Sequence, residues 1–176
     1  MQRDATHERI VQHPDELEAL LDAHTASSSS YGQILKSADP PTKQDFERAR
    51  LLIATAPADT LPETLALARH TLHAVRDIPK VDLTHFESTP AIANLLASAV
   101  VERYRVVPIM MWRDAVVLAV ADLLEEDAFG VLRFALQRHF VLVRASGVQI
   151  DETINRLYRS AQEAEELRSL NELAVE

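Results

Sequence analysis

The sequence contains no cysteine and only three glycines, Gly32, Gly130 and Gly147. Without thiols there is no disulfide framework, no thiolate zinc site and no cysteine nucleophile, and the composition fits a reducing compartment. A phosphate-cradling loop needs two glycines followed by Lys and Ser or Thr, so that backbone N–H groups close on the phosphates. A dinucleotide-binding turn needs three glycines close together. The three glycines here stand far apart, and neither pattern exists. The nucleophile elbow, the kinase signatures and a His-Glu-x-x-His pair are also missing. Cations are in the minority, 18 Lys and Arg against 27 Asp and Glu for a formal net charge of −9. They are scattered, so the chain repels phosphate backbones, and nucleic acid is not an expected partner. No apolar run approaches the roughly 20 residues of a membrane helix, so no direct membrane insertion is expected. The first thirteen residues are polar and mixed in charge, unlike a signal peptide. These absences predict a protein that is not an enzyme, with no catalytic residue, no metal and no cofactor, residing in the cytoplasm.

What is present is a globular pattern. The apolar fraction of 47% suffices for a core at 176 residues. Residues 1–13 read as a loose leader. Residues 14–23 read as a short helix with Leu17, Leu20 and Leu21 on one face and Pro14 in its first turn, followed by a Ser-rich linker over 25–30. A helix over 31–38 is stopped by Asp39-Pro40-Pro41. Thr42 caps the next, which carries Phe46, Ala49, Leu52 and Ile53 at helical spacing and ends at Pro57. Thr60 is expected to cap a third, with Pro62 in its first turn and Leu65, Leu67, Ala68, Leu72 and Val75 on its apolar face.

From Val81 the pattern changes. Residues 81–83 are a short extended segment, and Thr89-Pro90 opens a helix, with a further turn reaching Tyr104. Two runs dense in Val, Ile and Met, 106–112 and 115–121, flank Arg113-Asp114 as a hairpin. A helix follows over 125–138 and a strand over 140–144. Ser146 then caps a long final helix with Ile150, Ile154, Leu157, Ala161, Ala164 and Leu167 three or four apart. The predicted fold class is α+β: an N-terminal helical segment, then a compact domain with a small mixed sheet of about three strands flanked by helices, then a long C-terminal helix. The expected divisions are a partly flexible leader and short helix at 1–30, a helical subdomain at 31–78, an α+β domain at 79–158 and a helical extension at 159–176.

Three side-chain groups admit a chemical reading. His70 and His73 share a helix face and, with Asp82 and His85, would make a metal-dependent hydrolase; otherwise they are partly exposed helix and loop histidines. Asp122, Glu125, Glu126 and Asp127 would hold a cation through oxygens, or complement a helix N-terminus at about 0.3–1 kcal/mol each. Arg103 and Arg105 around Tyr104 would hold a base and a phosphate, or form a solvated strand entrance. The final helix, acidic at Glu163, Glu165 and Glu166, offers an apolar stripe that packs on the sheet as far as Tyr158. Beyond that it reads as a projecting connector or partner helix.

Four ordered segments carry a family resemblance. Ile78-Pro79-Lys80-Val81-Asp82-Leu83 resembles a "G-I-P-x-V-D-L" element. Arg103-Tyr104-Arg105-Val106-Val107-Pro108-Ile109 resembles "R-Y-x-V-V-P-L". Residues 116–122, V-V-L-A-V-A-D, resemble "L-x-V-A-M-A-D-P". Residues 150–158 resemble a closing "I-x-x-A-I-x-R-L-Y" helix. Together they resemble the N-terminal domain of type II secretion and type IV pilus assembly ATPases, the MshEN-like or GspE N-terminal domain, here without an ATPase domain. The resemblance implies a compact α+β fold and a non-catalytic regulatory or docking role in a bacterial secretion or pilus system. The implied protein partner is a secretion or pilus ATPase, or the cytoplasmic part of an inner-membrane component, with recruitment to the inner membrane. As an alternative it implies cyclic di-GMP sensing, because some members bind that nucleotide through paired helices beginning "R-L-G-x-x-L". Residues 30–35 are similar to that motif, which makes Tyr31, Gly32, Ile34 and Leu35 its candidate residues. Ser30 and Tyr31 replace the Arg and Leu, and a second copy near 60–78 has no Arg-Leu-Gly.

Overall fold

The computed structural model describes residues 10–37 and 40–174. Most of the expected leader therefore lies outside the described residues, as do the side chains of Ala161 and Ala164.

The N-terminal half supplies strand β1 (Ile10–Val11) and helices α1 (Pro14–Ala26), α2 (Ser30–Ser37), α3 (Lys43–Thr55) and α4 (Pro62–Arg76). Proline opens α1 and α4, where its missing N–H removes one of the orphan donors. Thr42 caps α3 as expected, in a full capping box: its hydroxyl accepts from the Asp45 N–H at 3.1 Å, and the Asp45 carboxylate accepts from the Thr42 N–H at 3.0 Å. Thr60 does not cap α4. Its hydroxyl turns back to the Pro57 carbonyl at 2.7 Å, and Leu61 occupies the cap position. The Ser-rich linker shrinks to a few residues because α1 continues to Ala26.

The second half runs β2 (Lys80–Val81), a 3₁₀ turn (Leu83–His85), α5 (Pro90–Ala93), α6 (Ser98–Tyr104), β3 (Val106–Trp112), β4 (Ala115–Val120), α7 (Glu126–Leu136), β5 (Phe140–Arg144) and α8 (Gly147–Ile154). The sheet has five strands in the order β1-β2-β5-β4-β3, not about three. The two further members, β1 and β2, the second at the start of the extended segment expected over 81–83, are two residues long and parallel to each other, Ile10 opposite Lys80 and Val11 opposite Val81. A strand that short shows no alternation, so only tertiary pairing creates it. The sheet is mixed: β2, β5 and β4 run parallel, and β3 pairs antiparallel with β4 across the predicted hairpin. Its turn places Arg113 at φ 53°, in the left-handed region.

All six residues of β4 are buried, which explains their unbroken apolar run: a central strand covered on both faces has no polar side to show. Helices α5, α6 and α8 lie against β3. Leu17 and Leu21 of α1 and Tyr31 of α2 join the same core as Leu118 and Leu142 of the central strands.

The expected single C-terminal helix is divided. A π-helical segment, Asn155–Arg159, separates α8 from α9 (Ser160–Ala174). The widened turn buries Tyr158, whose hydroxyl donates to the Ala93 carbonyl at 2.8 Å. A local change of helical pitch of this kind leaves no signature in a 3.6-residue pattern.

Candidate functional site

Helix α2, the first residues of β5 and the β3–β4 turn enclose a cleft of about 320 Å³. Tyr31, Ile34, Leu35 and Lys36 form one wall, Trp112, Arg113 and Asp114 the other, and residues 139–142 the floor. Tyr31 anchors α2: its buried hydroxyl donates to the Leu142 carbonyl at 3.3 Å, and burial pushes the phenol well above its ordinary value. It is therefore a neutral donor throughout the physiological range. Trp112 and Arg113 are fixed from the opposite side by Asp22 of α1. One carboxylate oxygen, Oδ1, accepts from Trp112 Nε1 at 3.0 Å and from Arg113 Nη2 at 3.2 Å. The guanidinium also lies 4.7 Å from the Trp112 ring centroid, a cation–π contact. Lys36 lies in the last turn of α2 and His139 precedes β5, both exposed at the cleft. The cleft thus presents an apolar interior with Lys36, Arg113, Asp114 and His139 around it.

Of the four residues singled out by the nucleotide motif, Tyr31, Ile34 and Leu35 line the cleft. Gly32 does not. A Cβ there would collide with the His24 carbonyl of α1, 2.8 Å from its carbon, so this glycine permits the close crossing of α1 and α2. Sequence reasoning missed Lys36, Trp112, Arg113 and His139. The last three reach α2 only through the sheet, and the one local signal was a non-glycine pair in a tight turn.

The other candidate groups resolve differently. His73 Nδ1 accepts from Arg76 Nη2 of its own helix at 2.8 Å, and His85 stacks on His13 at 4.9 Å between centroids. Asp82 caps the 3₁₀ turn: it accepts from the Thr84 hydroxyl (2.6 Å), the Thr84 N–H (3.0 Å) and Gln149 Nε2 (2.7 Å). Those bonds, Thr84 first, hold its carboxyl down at about 2. Among the described residues no three His, Asp or Glu side chains gather to hold a metal, so the His70, His73, Asp82 and His85 set does not assemble. Glu126 and Asp127 lie in the first turn of α7, where carboxylates complement the helix dipole. Arg103 lies over Tyr104 at 5.4 Å, whereas Arg105 turns away to Asp151 (3.1 Å) and the Gly147 carbonyl (3.2 Å) of α8. No described helix is long and apolar enough to cross a membrane.

A five-stranded mixed sheet with helices packed against it, and a cleft beside α2, β5 and the β3–β4 turn, defines a small mixed α/β domain. The MshEN domain model matches residues 76–164. The chain therefore belongs to the MshEN domain family, the N-terminal domains of type II secretion and type IV pilus assembly ATPases. Similar solved structures include MshE with cdg, at 19% identity over 75% of this chain and 100% of that one, with a TM-score of 0.45. The N-terminal domain of XpsE is similar at 20% identity over 90% of this chain and 99% of that one, with a TM-score of 0.43. No curated protein sequence matches.

Proposed function

We propose that this domain is non-catalytic and regulates a secretion or pilus ATPase by docking, either on the ATPase or on the cytoplasmic part of an inner-membrane component. It would work in the cytoplasm and be drawn to the inner membrane by that contact. The observation carrying this reading is a set of exposed leucines on the packed pair of helices α3 and α4 and the loop between them. Leu51 of α3, Leu61 before α4 and Leu67 of α4 are 63%, 62% and 67% exposed. Exposed leucines that come together in one patch mark interaction surfaces, and these three share one pair of packed helices and its loop. Crosslinking in cells, with a photoreactive residue at position 51 or 67, is expected to capture such an ATPase or inner-membrane component. Capture of neither, or nucleotide hydrolysis by the purified protein, sinks the reading.

The cleft favours a second reading, cyclic di-GMP sensing. Lys36 and Arg113 would meet the phosphates, and the Tyr31, Ile34 and Leu35 wall would meet a base. Calorimetric titration decides it: saturable heat that weakens in Arg113→Ala is expected, and neither heat nor thermal shift at millimolar nucleotide ends it.

A further inference from the structure

Every described side chain of α9 is exposed. The helix is anchored through the π-helical segment before it, where Tyr158 is buried and Arg159 meets Glu102 at 3.5 Å. Beyond that anchor Leu167, Leu170 and Leu173 stand 61%, 61% and 78% exposed. At three-residue spacing they fall within one stripe, and Glu163 and Glu166, each four residues before a leucine, continue that stripe towards the N-terminus. Glu165, Arg168, Ser169 and Glu172 occupy the opposite face. The outward stripe is thus leucine at one end and carboxylate at the other. A 15-residue helix whose described side chains are all exposed is marginal in water on its own, and helical order in proteins comes mostly from covering an apolar face.

The charge pattern selects what covers it. A second copy in parallel would set Glu163 and Glu166 against their own counterparts. A second copy in antiparallel would bury those carboxylates against leucines without a cation. Nucleic acid and anionic lipid are repelled by the same groups. We infer that the Leu167, Leu170 and Leu173 stripe, with Glu163 and Glu166 at its end, docks an amphipathic helix of another protein whose apolar stripe ends in Lys or Arg. The inference rests on the docking reading above and names a partner chemistry for it. The leucines supply the buried area. The two glutamates fix the orientation of the incoming helix, since only one direction sets its cations against them.

The probe is a labelled synthetic helical peptide with a leucine stripe ending in two lysines, read by fluorescence anisotropy against the full chain. Binding is expected to weaken about tenfold or more when Leu167, Leu170 and Leu173 are changed to Ser. It should fall similarly in Glu163→Lys/Glu166→Lys, and return in that variant for a peptide ending in two glutamates. Thermal melts keep the test fair, because α9 lies outside the core and both variants should unfold with the parent. The inference is overturned if the leucine variant binds equally, if the charge exchange fails to restore binding, or if sedimentation shows a dimer that the leucine changes abolish. Crosslinking separates the two ideas. A secretion ATPase or inner-membrane component captured from position 51 or 67 but not from a photoreactive residue at position 170 sinks the α9 surface and leaves the docking reading standing; no capture from any of these positions sinks the docking reading itself.

Discussion

Gly32 and Asp82 show how single residues carry structural decisions here. Gly32 lies where α2 crosses α1, with the His24 carbonyl in the space a side chain would take. The obstacle is backbone, so it cannot swing aside. Gly32→Ala is expected to cost about 1–3 kcal/mol through overpacking, measured by urea denaturation. An unchanged midpoint would show that the crossing relaxes freely. Asp82 answers to pH. Its folded carboxyl sits near 2 against an ordinary 3.8, so the stability it contributes is present above 3.8 and lost as pH falls towards 2. In Asp82→Asn that dependence disappears. The stability gap between parent and variant should therefore narrow as denaturation is moved from pH 5 to pH 2.5. A constant gap would mean that the Thr84 and Gln149 bonds add nothing to folding.

Among the elements, α3 buries little, Ala49 being its one fully buried hydrophobic side chain, so its cap is a visible part of what holds it. Thr42→Ala removes the acceptor for the Asp45 N–H and is expected to cost about 1 kcal/mol, with Thr42→Ser restoring most of it. Circular dichroism during thermal melting would register the difference. An equal loss in both variants would instead assign the effect to packing of the Thr42 methyl group. This cap was legible in the sequence because Thr and Asp stand three apart before an apolar pattern. The α4 cap was misread for an equally local reason: Thr60 had the right chemistry, but Pro57 left a carbonyl within its reach. The β3–β4 hairpin was also legible, from two dense apolar runs separated by two residues. Strand β1 was not, and β2 was legible only as an extended segment and not as a sheet member, because β1 pairs only with β2, and β2 joins the sheet only through β5.

In the molecule as a whole, β4 is the hub, flanked by β3 and β5 and buried along its full length. Leu118 at its centre has no exposure, so Leu118→Ala is expected to cost about 2–5 kcal/mol, the transfer of the lost atoms plus the cavity they leave. Calorimetry should show one cooperative transition shifted downwards, and a loss confined to part of the transition would mean that the helical half and the sheet unfold separately. The candidate site belongs to this scale. Tyr31, Ile34 and Leu35 were visible as a short motif, but Trp112, Arg113 and His139 lie far along the chain from them. Only the pairing of β5 beside β4 and the seat of the Tyr31 hydroxyl on Leu142 bring them together. The amino-acid sequence by itself determined the helices, the hairpin, the central strand and the want of any phosphate loop, because each of these follows from residues within a turn or two of one another. The number of strands, the break before α9 and the composition of the cleft were decided by tertiary structure alone. They depend on which distant surfaces meet, and a local pattern of side chains holds no record of that.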